Sequence, residues 1–281
     1  MNMVEHFNIQ EVSRLDLSRY SRVANGTTVR ETVETLTTSG RNCAFVLDSS
    51  RLAGVFTDRD VLTKVVDAPG CWDEPIESVM TAEPHIVCPT STAMDALKLM
   101  NKHYFRNVPV LRDDGTVVGN LTHFSLIRLT DTLIRNEAAM EESEYSVTHS
   151  FLFINFSGLM SGRPISVSPD TSIEDVIETM RAESIGSIMI VDGRGTLIGV
   201  FTERDLMTKI ACQTDDLSTP VKAHMSRELI KLSPHDAIAE GLHYMAEKHV
   251  RRLPLVSASE KPVAVISFRD IAKYIETSIS L

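Results

Sequence analysis

The sequence lacks a long hydrophobic run and any cysteine pattern that would cross-link a fold. Its four cysteines, at positions 43, 71, 88 and 212, form no CxxC pair and have no close histidine partner. Structural zinc and a disulfide framework are therefore disfavoured, and we expect reduced, buried thiols. The most apolar short stretch, residues 151–156, is far below the roughly 20 residues that span a bilayer. The N-terminus, MNMVEHFNIQEV, has no signal-peptide core, so we expect a cytoplasmic protein without membrane insertion.

Positive charge is also scarce. The chain carries 28 basic and 38 acidic residues, a net charge of −10, which disfavours nucleic acid and membrane surfaces as partners. A local basic pocket remains compatible with this total, because net charge says little about individual sites. The apolar fraction of 43% and the charged fraction of 23% are ordinary for a globular protein. At about 150 residues per domain, the length predicts roughly two domains.

Four short segments repeat along the chain. They read GVFTDRD at 54–60, GNLTHFS at 119–125, GVFTERD at 199–205 and AVISFRD at 264–270. Their hydroxyl residues are Thr57, Thr122, Thr202 and Ser267, so the spacing is 65 residues within each half and 145 between the halves. The sequence therefore contains a pair of units that is repeated whole.

The residues around each segment predict the same elements in every unit. Met100, Met180 and Met245 each lie 22 residues before the hydroxyl of their unit and end an amphipathic helical stretch, with Leu36 near that position in the first unit. A strand-like piece precedes the helix, and in three units it ends in proline, as in ISVSP. Two apolar runs joined by a turn follow it, and the hydroxyl then opens another helix. Each unit reads strand, helix, strand, strand, helix.

These repeats resemble the cystathionine beta-synthase (CBS) domain, which occurs in tandem pairs called Bateman modules. The resemblance rests on VMTAEPHIVCPTST, LMSGRPISVSPDT and HMSRELIKLSPHD, on NVPV and RLPL, and on the GVFTDRD-type endings. It implies an α/β (α+β) fold of four β-α-β-β-α repeats in two modules, similar in layout to the gamma subunit of AMP-activated protein kinase. We expect repeats at 10–70, 75–135, 157–216 and 220–279, joined in the middle by a connector at 136–156 whose apolar end packs on the second module.

By this resemblance, the endings bind the ribose of an adenosine ligand. The candidate pairs are Thr57 with Asp60, Thr202 with Asp205, and Ser267 with Asp270, because a carboxylate accepts hydrogen bonds from both ribose hydroxyls. The preceding glycine would let the backbone approach a flat base. Ser125 stands where the second unit should have its acid, so that site is expected to be empty or altered. The alternative is a helix-capping box, which needs no ligand.

The resemblance also assigns phosphate contacts to Arg106 and Arg251, three residues before the proline of the middle strand. Arg106 would work with Asp60, and Arg251 with Asp205. The family subunit often has His-Arg at this point, whereas this chain reads Arg106-Asn107 and Arg251-Arg252, so the number of phosphates recognised stays open. The alternative is a pair of solvent-facing arginines.

The predicted function is a regulatory sensor of AMP, ADP or ATP that acts on a separate partner or as a homodimer. We expect no catalysis and no required cofactor, because GxSxG, P-loop and Rossmann patterns are missing. No metal site is predicted either, since Asp58 and Asp60, two apart on a helix, point to different faces. Two alternatives stay open: an interaction scaffold with vestigial sites, and another adenosyl ligand such as S-adenosylmethionine or a dinucleotide.

Overall fold

The computed structural model describes residues 3–138, 154–160, 164–211 and 216–277. Within these ranges the chain forms four units of like construction, and the predicted α/β class with four repeats is confirmed. No helix in the described part of the chain has the length and hydropathy of a membrane span.

The helices and the central hairpins follow the predicted order in each unit. The helices are α1 (Met3–Ile9), α2 (Val29–Ser39), α3 (Asp58–Asp60, continued by a π-helical turn at Val61–Val65), α4 (Ala93–His103), α5 (His123–Ala138), α6 (Ile173–Ala182), α7 (Glu203–Asp205, continued by a π-helical turn at Leu206–Ala211), α8 (Ile238–Lys248) and α9 (Phe268–Thr277). The strands are β1 (Ser21–Ala24), β2 (Cys43–Asp48), β3 (Arg51–Thr57), β4 (Thr81–Ala82), β5 (Asn107–Leu111), β6 (Val117–Thr122), β7 (Ser166–Val167), β8 (Ser187–Val191), β9 (Leu197–Thr202), β10 (Arg252–Val256) and β11 (Pro262–Ser267).

An antiparallel hairpin forms the centre of each unit, and its register is the same in all four. The hydroxyl residue at the end of the second strand pairs with the first residue of the first strand: Cys43 with Thr57, Asn107 with Thr122, Ser187 with Thr202, and Arg252 with Ser267. Each hydroxyl therefore lies at a strand-to-helix junction, beside the residues that precede the first strand. This register positions the candidate site.

The opening strands are shorter than the sequence predicts. Only β1 has four residues, β7 has two, and in the second and fourth units a single residue, Val87 or Leu232, makes one parallel bridge. The prolines that close HIVCP, ISVSP and LIKLSP explain the difference, because proline has no backbone N–H with which to continue a ladder.

The first helix begins at a side-chain cap in three units, whereas α8 of the fourth unit follows Ala237 and has no such cap. Thr28, Thr92 and Ser172 cap α2, α4 and α6 by accepting a hydrogen bond from the backbone N–H three residues later. The landmark residues Leu36, Met100, Met180 and Met245 are all at most 1% exposed, as the helical period predicts.

The hydrophobic residues form three clusters rather than four. The second and fourth units share one core, in which α5 packs on α8, α9 packs on α4, and α1 covers α4 and α9. Phe156, the last residue of the apolar stretch at 151–156, is buried in this core against Gly241 of α8. Most of the predicted connector, residues 139–153, lies outside the described residues.

The first and third units each have their own core, and they exchange one side chain. Leu62 of the first unit is buried in the core of the third, and Met207 of the third is buried in the core of the first. Both residues lie in the π-helical turns that follow α3 and α7. Contacts between the two halves of the chain are therefore part of both cores, so neither half has a hydrophobic core that is wholly its own.

The cysteines agree with prediction in part. Cys43, Cys71 and Cys88 are free thiols, and Cys43 is buried, which raises the pKa of its thiol well above the ordinary value. Cys71 and Cys88 are only partly buried, so the expectation of burial is wrong for them. Cys212 lies outside the described residues.

Candidate functional site

The three hydroxyl–acid pairs have nearly the same geometry. The backbone N–H and the hydroxyl of Thr202 donate to Asp205 Oδ2 at 3.0 and 2.6 Å, and the N–H of Asp205 donates back to the threonine oxygen at 3.1 Å. Corresponding N–H and hydroxyl donations join Thr57 to Asp60 and Ser267 to Asp270, at 2.7–2.9 Å. The capping alternative is therefore geometrically present. It engages only one oxygen of each carboxylate.

In the first and third units a lysine one helical turn later reaches the other oxygen. Lys64 Nζ lies 2.8 Å from Asp60 Oδ1, and Lys209 Nζ lies 2.6 Å from Asp205 Oδ1. We did not single out these lysines from the sequence, although TDRDVLTK and TERDLMTK place both of them seven residues after the hydroxyl. The fourth unit has Tyr274 at that position, so Asp270 has no corresponding lysine.

The second unit has replaced its acid with an internal contact. The Ser125 hydroxyl accepts a hydrogen bond from the N–H of Thr122 at 3.2 Å and donates to the carbonyl of Asp16 at 2.6 Å. Leu17, the next residue, lies so close to Gly119 that its main chain occupies the position of a Cβ. The chain itself therefore fills the space beside this hydroxyl.

The repeated glycines serve packing rather than access for a base. Met80 Sδ lies 2.5 Å from the position that a Cβ on Gly54 would occupy, and Met225 Sδ lies against Gly199 in the same way. The interpretation that these glycines admit a flat ligand is therefore wrong, because a methionine from the following unit already covers each one.

A cavity of about 650 Å³ brings together three residues that the sequence predicts for one site. Thr202 and Asp205 from the third unit and Arg251 from the fourth unit all line it. Apolar side chains complete the wall, among them Met189, Val200, Ile230, Val250 and Pro254. The cavity is therefore lined by acidic, basic and apolar side chains.

A second cavity of about 240 Å³ adjoins the first. Ser267 and Asp270 line it together with Arg106, Arg251, Arg252 and Arg269. Arg251 and Arg252 line both cavities. The predicted residues of the fourth unit thus face a small, strongly basic space, whereas those of the third unit face a larger one.

Arg106 and Arg251 are not solvent-facing; they make ion pairs between the two halves of the chain. The Arg106 guanidinium donates to both carboxylate oxygens of Glu203, to Oε1 at 2.7 Å. Arg251 lies 3.1 Å from Asp58 Oδ2, and Arg106 lies 3.9 Å from the other oxygen of Asp58. Both acids are 1% exposed. We call these four residues the central charge cluster.

The sequence analysis missed the two acids of this cluster. Asp58 and Glu203 each directly follow the hydroxyl of their unit, a position filled by His123 and Phe268 in the other two. A signal was present, because the units with an acid at this position lack the arginine before the middle strand, and the units with that arginine lack the acid. Asp58 and Asp60 do point to different faces, as expected.

Burial and neighbouring charges shift the pKa values of three groups in and beside the central charge cluster. Burial alone would raise the pKa of Glu203, but Arg106 overrides it and lowers that pKa to about 2, so the carboxylate stays ionised. Burial and repulsion from Arg106 lower the pKa of Arg252 to about 9. Burial and then Arg251 hold the pKa of His123 well below its ordinary value, so this histidine is neutral. Among the described residues, no three His, Cys, Asp or Glu side chains meet as metal ligands.

We predict that Glu203→Gln destabilises the protein by about 3–5 kcal/mol, because it leaves the buried Arg106 without its charged partner. Chemical denaturation at neutral pH measures this loss. The wild-type advantage should disappear as pH falls from about 4.5 towards 2, since a carboxyl with a lowered pKa stabilises the fold only while it is ionised. Asp170→Asn, which breaks an exposed pair with Lys222, is the control and should cost under about 1 kcal/mol. Equal losses would contradict the prediction.

Comparisons with known proteins agree with the repeat structure. A family model of the CBS domain matches residues 12–67, 76–131, 156–212 and 221–277. A crystal structure of the MJ1225 protein from Methanocaldococcus jannaschii, described as a suggested archaeal homologue of gamma-AMPK, superimposes with a TM-score of 0.77 at 16% identity, covering 94% of this chain and 99% of that one. A protein from Pyrococcus horikoshii gives a TM-score of 0.59 at 19% identity, covering 95% and 100%.

The similar curated sequences are mostly longer. A Thermofilum pendens protein encoded in a ribosomal RNA operon is 27% identical over 198 residues, which are 68% of this chain. The chain spans 62% of that relative and 41% of the Schizosaccharomyces pombe meiotically up-regulated gene 70 protein. The four repeats that the family model matches, together with their common hairpin register, carry the conclusion: the chain belongs to the CBS domain family.

Proposed function

We propose that this chain is a regulatory protein that binds an adenosine nucleotide, AMP, ADP or ATP, and acts on a separate partner without catalysis of its own. The observation that supports this most directly is the cavity of about 650 Å³, which Thr202, Asp205 and Arg251 line together. Its volume lies within the usual range of small-molecule pockets, about 300–1,000 Å³.

Asp205 would hold the ribose. Its carboxylate already accepts hydrogen bonds from the hydroxyls of Thr202 and Ser226, at 2.6 and 3.1 Å, and forms an ion pair with Lys209. An ionised acceptor forms hydrogen bonds about twice as strong as a neutral one, which suits a pair of ribose hydroxyls. The apolar wall that includes Val200 and Ile230 would contact the base.

Arg252 and Arg251 would hold the phosphate. Arg252 makes no ion pair or side-chain hydrogen bond with any described residue, yet it lines both cavities and its pKa is lowered, first by burial. A phosphate beside it would supply the missing negative charge. Arg251 also pairs with Asp58 of the other module, so a phosphate would compete with that carboxylate. Ligand binding would thereby be coupled to the contact between modules, with a coupling energy of typically 1–3 kcal/mol.

The remaining predicted residues belong to the same proposal. Thr57, Asp60 and Arg106 would form a site in the first module, and Ser267 with Asp270 a site in the small basic cavity. The unit boundaries 10–70, 75–135, 157–216 and 220–279, a cytoplasmic location, and a partner protein or second copy of the chain as the regulated component are likewise proposals.

A scaffold with vestigial sites is the second candidate. The completed capping geometry of Thr202 and Asp205 supports it, since these residues have structural partners without any ligand. Another adenosyl ligand is a further possibility, although the excess of arginines opposes the positive sulfonium of S-adenosylmethionine. Binding measurements separate all three.

We predict that AMP, ADP or ATP raises the melting temperature of the protein. A ligand at 100 times its dissociation constant adds roughly 2.7 kcal/mol to folding stability, which is a shift of several degrees. Differential scanning fluorimetry with adenosine, S-adenosylmethionine and the three nucleotides measures this shift. Unchanged melting with millimolar amounts of every compound would favour the scaffold.

We predict that Asp205→Asn weakens nucleotide binding by about 1–3 kcal/mol while the stability of the ligand-free protein changes less. Asparagine keeps the side-chain shape and remains a competent cap, but it loses the charge that receives the ribose hydroxyls. Isothermal titration calorimetry gives the affinity. Asp175→Asn is the matched control, because Asp175 makes the same kind of contact with Ser172 at the start of α6 and does not line the cavity. Loss of stability with unchanged affinity would identify Asp205 as a cap alone.

We predict that Arg252→Gln weakens AMP binding by about 1–3 kcal/mol and leaves adenosine binding nearly unchanged, because only AMP carries the phosphate. Arg252 is better suited to this test than Arg106, whose removal would leave Glu203 buried without its partner. Arg194→Gln, at an exposed turn of the third unit, is the control. An equal loss for adenosine and AMP would argue against a phosphate contact.

A further inference from the structure

The larger cavity carries a second group of basic side chains beyond Arg251 and Arg252. Arg19, Arg204, Lys248 and His249 line it as well, and they come from both modules. We call these four residues the outer basic cluster. Such a group is unexpected in a chain of net charge −10, in which acidic residues outnumber basic ones.

Arg19 is placed by contacts on several sides. Its carbonyl accepts a hydrogen bond from Asn120 Nδ2 at 3.0 Å, which fixes its backbone to the second unit. Its guanidinium carbon lies 4.8 Å from the ring centre of Phe124, and one guanidinium nitrogen lies 3.4 Å from His249 Nδ1. The charge of Arg19 is therefore held at the cavity by the packing of the units.

Arg204 approaches from the third unit. Its guanidinium donates to the carbonyl of Gly40 in the first unit at 2.9 Å, while the rest of the side chain is exposed. Arg204 immediately precedes Asp205, the proposed ribose acceptor. Both side chains line the larger cavity, so a ligand held at Asp205 shares that cavity with a cation that the ribose does not use.

Positive charge in the outer basic cluster is only partly compensated. Burial, and then Arg41 and Arg204, lower the pKa of Arg19, with Asp16 acting in the opposite direction. Burial and then Arg19 lower the pKa of His249. The cavity's acids do not offset this excess, because Glu203 is paired with Arg106 and Asp205 with Lys209, and Glu228 is the remaining carboxylate in its wall.

We infer that the outer basic cluster binds phosphates beyond the first, so that the ligand of this cavity is a nucleoside carrying a chain of two or more phosphates. The inference rests on the proposed function, because it takes the ribose to lie at Asp205 and the first phosphate at Arg251 and Arg252. Two arginines suffice for a monophosphate, and each further phosphate needs further donors. Arg19 and Arg204 are the specificity-determining residues for chain length.

The test compares AMP, ADP and ATP by isothermal titration calorimetry in the wild type and in Arg19→Met, in which the side chain keeps its packing on Phe124 but loses its charge. ATP should bind about tenfold more weakly to the variant, which is the effect of one lost charge-assisted hydrogen bond. ADP should lose less, and AMP should stay within about twofold. Arg204→Met, at an exposed position, should show the same order and guards against a folding defect.

Arg128→Met is the matched control. Arg128 lies near Arg19 and pairs with Asp16 at 3.5 Å, but it does not line the cavity. This variant should leave all three affinities within about twofold, because Arg128 does not line the cavity and its charge is separated from the ligand by screening solvent. If Arg19→Met lowers the AMP and ATP affinities by the same factor, or leaves ATP unchanged, the inference is overturned.

Tripolyphosphate separates this inference from the proposed function. If no nucleotide binds the wild type, the adenosine proposal fails, and melting with tripolyphosphate alone then decides about the outer basic cluster. A rise in melting temperature that Arg19→Met and Arg204→Met abolish supports a polyphosphate site. No rise, or a rise that both variants retain, overturns it.

Discussion

The central charge cluster is the constraint on which the arrangement of the molecule depends. Asp58 and Glu203 are almost completely buried, and an ionised buried carboxylate is stable only beside a well-placed cation. The cations, Arg106 and Arg251, come in each case from the opposite module. The modules therefore have to meet in one register to keep these four charges paired. The exchange of Leu62 and Met207 between cores adds a hydrophobic reason for the same register.

The central charge cluster also links the candidate site to the contact between the modules. Arg251 is bonded to Asp58 on one side and lines both cavities on the other, and the adjacent Arg252 has no ion pair within the described part of the chain. In the proposed function, an anionic ligand would take hold of side chains that also join the modules. In that proposal, ligand binding would change the free energy of the contact between the modules.

Repetition with variation distributes these roles among four otherwise equivalent units. One hairpin register brings the residue after each hydroxyl to the interior, where the four units contribute Asp58, His123, Glu203 and Phe268. The first and third units supply anions and the second and fourth supply arginines, so opposite charges meet across the modules. The second unit has exchanged its acid for Ser125, whose hydroxyl bonds the main chain instead of remaining available to a ligand.

The sequence by itself determined the repeat, the element order, the helix caps and the buried landmark residues, because periodicity and capping act over a few residues. It also identified Thr202, Asp205 and Arg251, which prove to line one cavity. Only the tertiary structure decided the ion-pair partner of Arg106. The family resemblance placed Arg106 with Asp60 around one ligand and indicated no ion-pair partner, whereas the guanidinium binds Glu203, 97 residues away. A buried charged side chain pairs with the opposite charge that lies nearest in space. The pattern within one repeat does not indicate which residue of the other module supplies that charge.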